Sequence, residues 1–238
     1  EEDTLSELNF TCRRGQTTAI IGGTGTGKST IASLILRFHD VTRGAILLNG
    51  TDIRRMPQHF LRERLAYVQQ KAWLFSGTIA DNLRYSDPDA SRETMLHAVD
   101  VAQAGEFVGA LPDGLDSFVA QGGTNFSGGQ RQRLSIARAL VKKPELYIFD
   151  DSFSALDFKT DAALRKALAK ETQDAAVLII AQRVSTIQHA DQIIVLHEGR
   201  MAGIGRHEEL LKTCGVYREI YESQTKTAGE TGKEEREP

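Results

Sequence analysis

Eight consecutive residues, Gly22-Gly23-Thr24-Gly25-Thr26-Gly27-Lys28-Ser29, have the types and spacing that grip a triphosphate. Glycines let the backbone curl so that successive N–H groups point inward at an anion. The N-terminus of the helix that follows would add its partial positive charge. Lys28 offers a mobile cation for the outer phosphates, and the Ser29 hydroxyl is a hard oxygen suited to Mg²⁺. Without a strand before it and a helix after it, the same stretch is only a flexible Gly/Thr turn. Asp150 is the natural second oxygen donor for Mg²⁺, because it follows the continuously apolar run Leu146-Tyr147-Ile148-Phe149. A carboxylate at the carboxyl end of a buried parallel strand faces the crevice where ligands bind. Its bland alternative is an acidic residue in a surface turn.

A second anion-binding end is written in Phe126-Ser127-Gly128-Gly129-Gln130. Ser127 can cap the helix that follows, and the two glycines leave backbone N–H groups open. Alone, that turn is equally a plain capped helix start. With the phosphate loop, it suggests a nucleotide held between two subunits.

The elements that must position these groups alternate short β-rich runs with helical patterns, the mark of an α/β fold with a mainly parallel sheet. Thr17 to Ile21 reads as a strand, Ile31 to Phe38 as a helix, and Gly44 to Leu48 as a strand closed by the tight turn Asn49-Gly50. Val177 to Ile180 and Ile193 to Leu196 repeat the buried pattern of 146–149. From about Lys71 to Lys143 the texture is helical, including Arg92 to Gln103 and Gln130 to Val141, where Leu134, Ala137, Leu140 and Val141 share a face. This stretch predicts a helical lobe, 71–143, inserted into a core of 1–70 and 144–224. Residues 225–238 are polar and charged, and are expected to form a disordered tail.

Composition narrows the function classes. At 238 residues, 40% hydrophobic, the chain can bury a large core without staples. A net charge of −3 supplies no basic field for nucleic acid. Cys12 and Cys214 match no metal or disulfide spacing and read as reduced thiols. The longest apolar run, Ala175 to Ala181, is far short of the roughly 18–20 residues that span a bilayer. The acidic opening, Glu1-Glu2-Asp3 without a starting Met, suggests a piece of a longer chain and no secretory leader.

Taken in order, these motifs resemble the nucleotide-binding domain of ABC transporters from Leu5 to about Gln224. Tyr67-Val68-Gln69-Gln70 is similar to that family's Q-loop, FSGGQ at 126–130 to its signature, and Ser154-Ala155-Leu156-Asp157 to its D-loop. Ala181-Gln182-Arg183-Val184-Ser185-Thr186 stands where the family has its switch histidine. The resemblance implies a P-loop NTPase (RecA-like) core with a small antiparallel β part and the inserted α-helical lobe. It implies ATP and Mg²⁺ bound by Gly22, Gly23, Thr24, Gly25, Thr26, Gly27, Lys28, Ser29 and Thr30, with Ser29, Gln70 and Asp150 about the metal. Asp151, Gln182 and Gln70 would be catalytic. Ser127, Gly128, Gly129 and Gln130 would cover the nucleotide of a second such domain, with Asp157 along the interface. Two stretches look exporter-like: Leu74-Phe75-Ser76-Gly77-Thr78-Ile79 with Asn82-Leu83, near the surface that receives a membrane domain, and Ala190-Asp191 through His207-Glu208-Glu209-Leu210-Leu211. The implied partner is a transmembrane domain, fused upstream, at the cytoplasmic face of the inner membrane. Trp73, Leu74 and Phe75 read equally as core packing.

The sequence also departs from the family. Asp151 stands where a glutamate normally polarises the attacking water, and a general base works only within hydrogen-bond reach. Gln182 replaces the histidine and cannot become cationic. Ala120-Gln121-Gly122 lacks the acidic pattern expected before the signature. The first two departures imply a slow site in one subunit of a heterodimer; a homodimer that turns over with Asp151 is the alternative. The family's adenine-stacking aromatic falls upstream of Glu1, so Phe10 is expected in the core. Rival readings are a soluble ABC ATPase acting on nucleic acid or ribosomes and an importer's separate ATPase subunit.

Overall fold

A computed structural model describes residues 4–234, with side chains through residue 225. Strand β1 (Thr17–Gly22) leads into helix α1 (Lys28–Ile35), followed by the hairpin β2 (Leu47–Leu48) and β3 (Thr51–Asp52), then α2 (Gln58–Glu63) and β4 (Leu65–Val68). The middle holds β5 (Gly77–Thr78), α3 (Ile79–Arg84), α4 (Arg92–Val101), α5 (Gly105–Gly109), β6 (Phe118–Val119) and α6 (Gly128–Val141). The chain returns through β7 (Leu146–Asp150), α7 (Phe158–Glu171), β8 (Ala176–Ile180), α8 (Val184–Ile187) and β9 (Gln192–His197). It closes with β10 (Arg200–Gly205), α9 (His207–Thr213) and α10 (Gly215–Glu234).

The main sheet has the order β10-β9-β1-β8-β7-β4, parallel except for the edge strand β10. Alternation along each strand sorts side chains to the two faces. Ala19, Ile21, Phe149, Ile179 and Val195 join one buried cluster, while Ile20, Ile148, Leu178, Ile180 and Ile194 join another. The second cluster is covered by α1 and α2 through Ile31, Ile35 and Leu61. Because both faces are covered, β7 to β9 carry continuous apolar runs rather than alternating ones.

The first cluster runs without a break from the sheet into the helical stretch, through Leu74, Ile79, Leu83, Met95, Leu134 and Ile136. This is the mixed α/β P-loop fold expected, with a mostly parallel sheet and small antiparallel pieces. The stretch 71–143 is not wholly helical, however, since β5 pairs antiparallel with β6.

Other expectations are corrected. The strand expected over Gly44–Leu48 is confined to Leu47–Leu48, because Gly44 at φ +75° turns the chain before it can pair. The turn Asn49-Gly50 has both residues at positive φ, as a two-residue hairpin demands. Helix α1 starts earlier than expected, at Lys28, and the chain leaves it through Arg37 at φ +53°. Trp73 and Phe75 are 50% and 42% exposed, so of that trio only Leu74 is core. The expected disordered tail instead continues α10 from Thr225 to Glu234, and residues 235–238 lie outside the described ones. A helix already nucleated on packed turns propagates cheaply into polar sequence. Phe10 packs, partly buried, against the second cluster.

Leu178 lies between β1 and β7 with no exposed surface. Leu178→Ala should therefore cost about 2–5 kcal/mol, read as a lower urea midpoint at unchanged slope. A loss under about 1 kcal/mol would contradict the close-packed core described here.

Candidate functional site

Strand β1 ends at Gly22, where an added Cβ would stand 2.5 Å from the Leu196 carbonyl oxygen. The turn then closes on Gly27, the N-cap of α1, at φ +92°, a conformation that strains any L side chain. Lys28, 8% exposed, donates from Nζ to the carbonyls of Gly22 (2.8 Å) and Gly23 (2.6 Å). The loop's own oxygens thus hold the ammonium over it. Burial pushes the Lys28 amine below its usual range, and the charges of Asp151 and Asp150 oppose that shift.

The register β1–β8–β7 sets Ile20 beside Ile180 and Ile180 beside Asp150. The carboxyl ends of these strands therefore open on one cleft of about 310 Å³, with Lys28, Ser29, Gln70, Asp150, Asp151 and Gln182 on its walls. Thr24, Gly25, Gly27 and Thr30 line it as well. Gly22, Gly23 and Thr26 shape the turn instead, Thr26 donating from Oγ1 to the Gly23 carbonyl at 2.9 Å.

Asp150 is buried, and its two oxygens are engaged separately. Ser29 Oγ donates to Oδ1 at 3.4 Å, and the Tyr67 hydroxyl donates to Oδ2 at 3.0 Å. Burial raises the Tyr67 hydroxyl's pKa, with the Asp150 charge adding to the effect, so Tyr67 stays a donor. A serine hydroxyl, a carboxylate and the nearby Gln70 amide are all oxygen donors, the set that suits Mg²⁺. No cluster of three His, Cys, Asp or Glu residues occurs among the described residues.

Asp151 sits at φ +46°, with its amide donating to the Ile180 carbonyl at 2.7 Å. Short Asp and Asn side chains tolerate this left-handed region better than longer ones. Its Oδ2 accepts from two amides at once, Gln70 Nε2 at 2.8 Å and Gln182 Nε2 at 3.2 Å. The three residues expected to be catalytic therefore meet on one oxygen. Burial raises the Asp151 pKa, the Asp150 charge adds to it, and Gln70, Arg183 and Lys28 pull the other way.

The other expected anion end lies elsewhere. Ser127 Oγ accepts from Gln130 N at 3.2 Å, and Gln130 Oε1 accepts from Ser127 N at 2.9 Å, a reciprocal capping box. Ser127, Gly128, Gly129 and Gln130 are not on the cleft's walls, so a single chain does not bring its two ends together. A Cβ on Gly129 would stand 3.3 Å from the Ala155 carbonyl, which places this helix start against the 154–157 turn. Asp157 is exposed and caps α7, accepting from Thr160 N at 2.9 Å and Thr160 Oγ1 at 2.7 Å. These bonds hold its carboxyl below the usual range.

Sequence reasoning missed three supports. Tyr67 was visible only as part of a motif, with no sign of its bond to Asp150. Buried Gln132, in the interior of α6, donates to the Gln69 carbonyl at 3.2 Å. Gln224, in α10, donates to the Gln182 carbonyl at 2.7 Å. None has a local signature, because each partner is distant in sequence.

Comparison with known proteins gives a consistent set of likenesses. Residues 5–154 match the family described as ABC transporter. An uncharacterized ABC transporter ATP-binding protein of Mycobacterium tuberculosis is 48% identical over 94% of this chain and 39% of its own length. An ATP-dependent lipid A-core flippase of Haemophilus ducreyi is 43% identical over 94% of this chain and 39% of its own. The solved structure of a bacterial Atm1-family ABC exporter with ATP bound superposes with a TM-score of 0.90 at 39% identity, covering 94% of this chain and 40% of that one. The chain thus spans about two fifths of the length of the curated relatives it matches.

The capping box yields a stability test that needs no nucleotide. Ser127→Ala should cost about 0.5–2 kcal/mol, and Ser127→Gly only a few tenths. A negligible loss for Ser127→Ala in urea unfolding would mean that the Ser127 hydroxyl does not cap α6.

Proposed function

The chain belongs to the ABC transporter family, and from that premise we propose that it is the ATP-hydrolysing motor of an exporter. One observation carries the reading. Lys28, Ser29, Asp150, Gln70, Asp151 and Gln182 converge on one cleft at the carboxyl edge of a parallel sheet. Meanwhile the capped turn at 127–130 stands apart from it, open to a second chain.

In this reading the amides of 22–30 and the start of α1 cradle the phosphates, and Lys28 turns from its own loop carbonyls toward the outer ones. Ser29 and Asp150 hold Mg²⁺, with Gln70 beside them. Such an ion, when bound, would supply neutralisation of the triphosphate's negative charge. Tyr67 fixes one Asp150 oxygen so that the other stays turned toward Ser29. Ser127 to Gln130 of one domain cover the nucleotide held by another, with Asp157 near the seam, and closing and opening of the pair drives the membrane partner.

The exporter assignment draws on the flippase and exporter likenesses. It also draws on an aromatic patch at 73–85, where Tyr85, 70% exposed, stacks on Phe75 with ring centroids 4.5 Å apart. Arg138 braces that patch, donating from Nη2 to the Trp73 carbonyl at 3.0 Å. We assign this surface to a fused transmembrane domain and place the chain at the cytoplasmic face of the inner membrane. The nucleic-acid and importer readings draw no such support.

The site itself is slow in this reading. Asp151 is one methylene shorter than a glutamate, and its near oxygen already accepts two amides. Gln182 can donate to a phosphate oxygen but cannot carry positive charge. The second domain is then a non-identical, faster subunit that borrows this chain's intact 127–130 turn.

Calorimetry with magnesium ATP should show binding that Lys28→Ala abolishes; equal heats for both proteins would sink the nucleotide assignment. Turnover should rise in the Asp151→Glu/Gln182→His variant, toward the ~10²–10⁴-fold that a well-placed base contributes. A wild-type rate matching the variant's would remove the slow-site claim and leave the motor intact.

A further inference from the structure

The link from β8 to α8 runs through Ala181, Gln182 and Arg183, and it has little to hold it in place locally. The Ala181 amide is fixed by the Ile20 carbonyl at 3.0 Å, but α8 is a single turn whose N-cap, Arg183, makes no side-chain cap bond. The first amides of any helix lack partners within it, so the Val184 N–H needs an acceptor from elsewhere. It finds one 40 residues away, where Gln224 Oε1 accepts from Val184 N at 2.8 Å. The same amide group donates from Nε2 to the Gln182 carbonyl at 2.7 Å. One planar side chain thus spans the backbone from 182 to 184, using its donor and its acceptor together.

A clamp is only as firm as its mount. Helix α10 is docked by its first turns: Tyr217 has no exposed surface, its hydroxyl bonds His207 Nδ1 at 2.8 Å, and Ile220 and Tyr221 pack on the first core cluster. Residues 217, 220, 221 and 224 fall at helical spacing on one face, so the face that buries the aromatics also aims Gln224 at the link. Gln182 Nε2 then reaches Asp151 Oδ2 at 3.2 Å.

We propose that Gln224 is a positioning residue for the ATPase site: through it, the C-terminal helix sets where Gln182 stands relative to Asp151. This rests on the reading of the cleft as an ATP site, although the clamp itself can be measured without nucleotide. A displacement of about 1 Å in such a group can cost up to ~10²-fold in rate.

The test compares wild type, Gln224→Ala and Gln224→Glu in the protein as it stands. Amide exchange without nucleotide should be about 3- to 10-fold faster at Val184 in Gln224→Ala, the size expected for losing one hydrogen bond. Gln224→Glu keeps the acceptor for Val184 N but loses the donor to the Gln182 carbonyl. It should preserve Val184 protection while still slowing turnover. Both variants should lower kcat about tenfold with the ATP dissociation constant within twofold of wild type. Unchanged exchange at Val184 in Gln224→Ala overturns the clamp, and faster exchange with an unchanged kcat overturns its positioning role. A fall in kcat accompanied by weaker ATP binding, or by a melting temperature lowered well beyond the roughly 2–4 °C that one lost hydrogen bond costs, means general support of the fold and likewise overturns it. If the wild type itself fails to bind magnesium ATP, the ATP-site reading has failed, and the positioning claim falls with it.

Discussion

The site stands on the register of three parallel strands. Ile20 of β1 lies opposite Ile180 of β8, and Ile180 lies opposite Asp150 of β7. A parallel sheet ends its strands on a common edge, so one pairing scheme delivers the phosphate turn, the Asp150–Asp151 pair and the Gln182 link to the same place. Slipping one strand by a single residue would turn its buried side chains to the opposite face. The two core clusters oppose that, because Leu178 and Ile179 face opposite layers with both surfaces covered. Burial of the strands thus fixes the geometry of groups that are themselves polar.

Two neighbouring carboxylates and one buried ammonium then have to coexist. Lys28 is pushed toward its neutral form by burial and toward its charged form by both aspartates, with burial the larger effect. Asp151 is pushed up by burial and by Asp150, and its strongest relief is the Gln70 amide. The carboxylates differ in how they are held. A hydroxyl engages each oxygen of Asp150, whereas both amide contacts of Asp151 fall on a single oxygen. Paired hydroxyls keep Asp150 oriented, which suits a metal ligand. Asp151 keeps its other oxygen free of those two amides, which suits a group that must reach a water.

Much of this was legible in the sequence where the determinant is local. The glycine spacing of 22–27, the apolar runs of β7 to β9, the Asn49-Gly50 turn and the Ser127 cap each act within a few residues and each is present as expected, the reciprocal bond from Gln130 being the structure's addition. Local signals failed where tertiary context decides. Trp73, Leu74 and Phe75 share apolar character, yet only the middle residue turns inward. The segment after Thr225 is polar in sequence, yet it extends a helix already anchored by Tyr217. Tyr67–Asp150, Gln132–Gln69 and Gln224–Val184 cross 83, 63 and 40 positions, and nothing in a single sequence names such partners.

Those long-range bonds share a pattern that bears on how the site is governed. Each ties the cleft's lining residues, or an immediate neighbour of one, to a side chain outside its walls. Tyr67 comes from β4 at the sheet edge, Gln132 from the interior of α6, and Gln224 from α10. Gln132 links two of the expected motifs. It lies on the helix that Ser127 caps, and its amide holds the carbonyl of Gln69, next to the residue whose side chain bonds Asp151. The turn at 127–130 and the half-buried carboxylate at 151 are therefore joined by one helix, two glutamine side chains and a single peptide step. A partner that shifted α6 as a rigid body would have to stretch that bond or carry Gln69 and Gln70 with it. Because Gln132 is buried, water could not readily replace the lost bond, and carrying the turn along is the less costly response. A displacement of α6 would thereby reach the hydrogen bonding of Asp151, although the two ends do not meet within one chain.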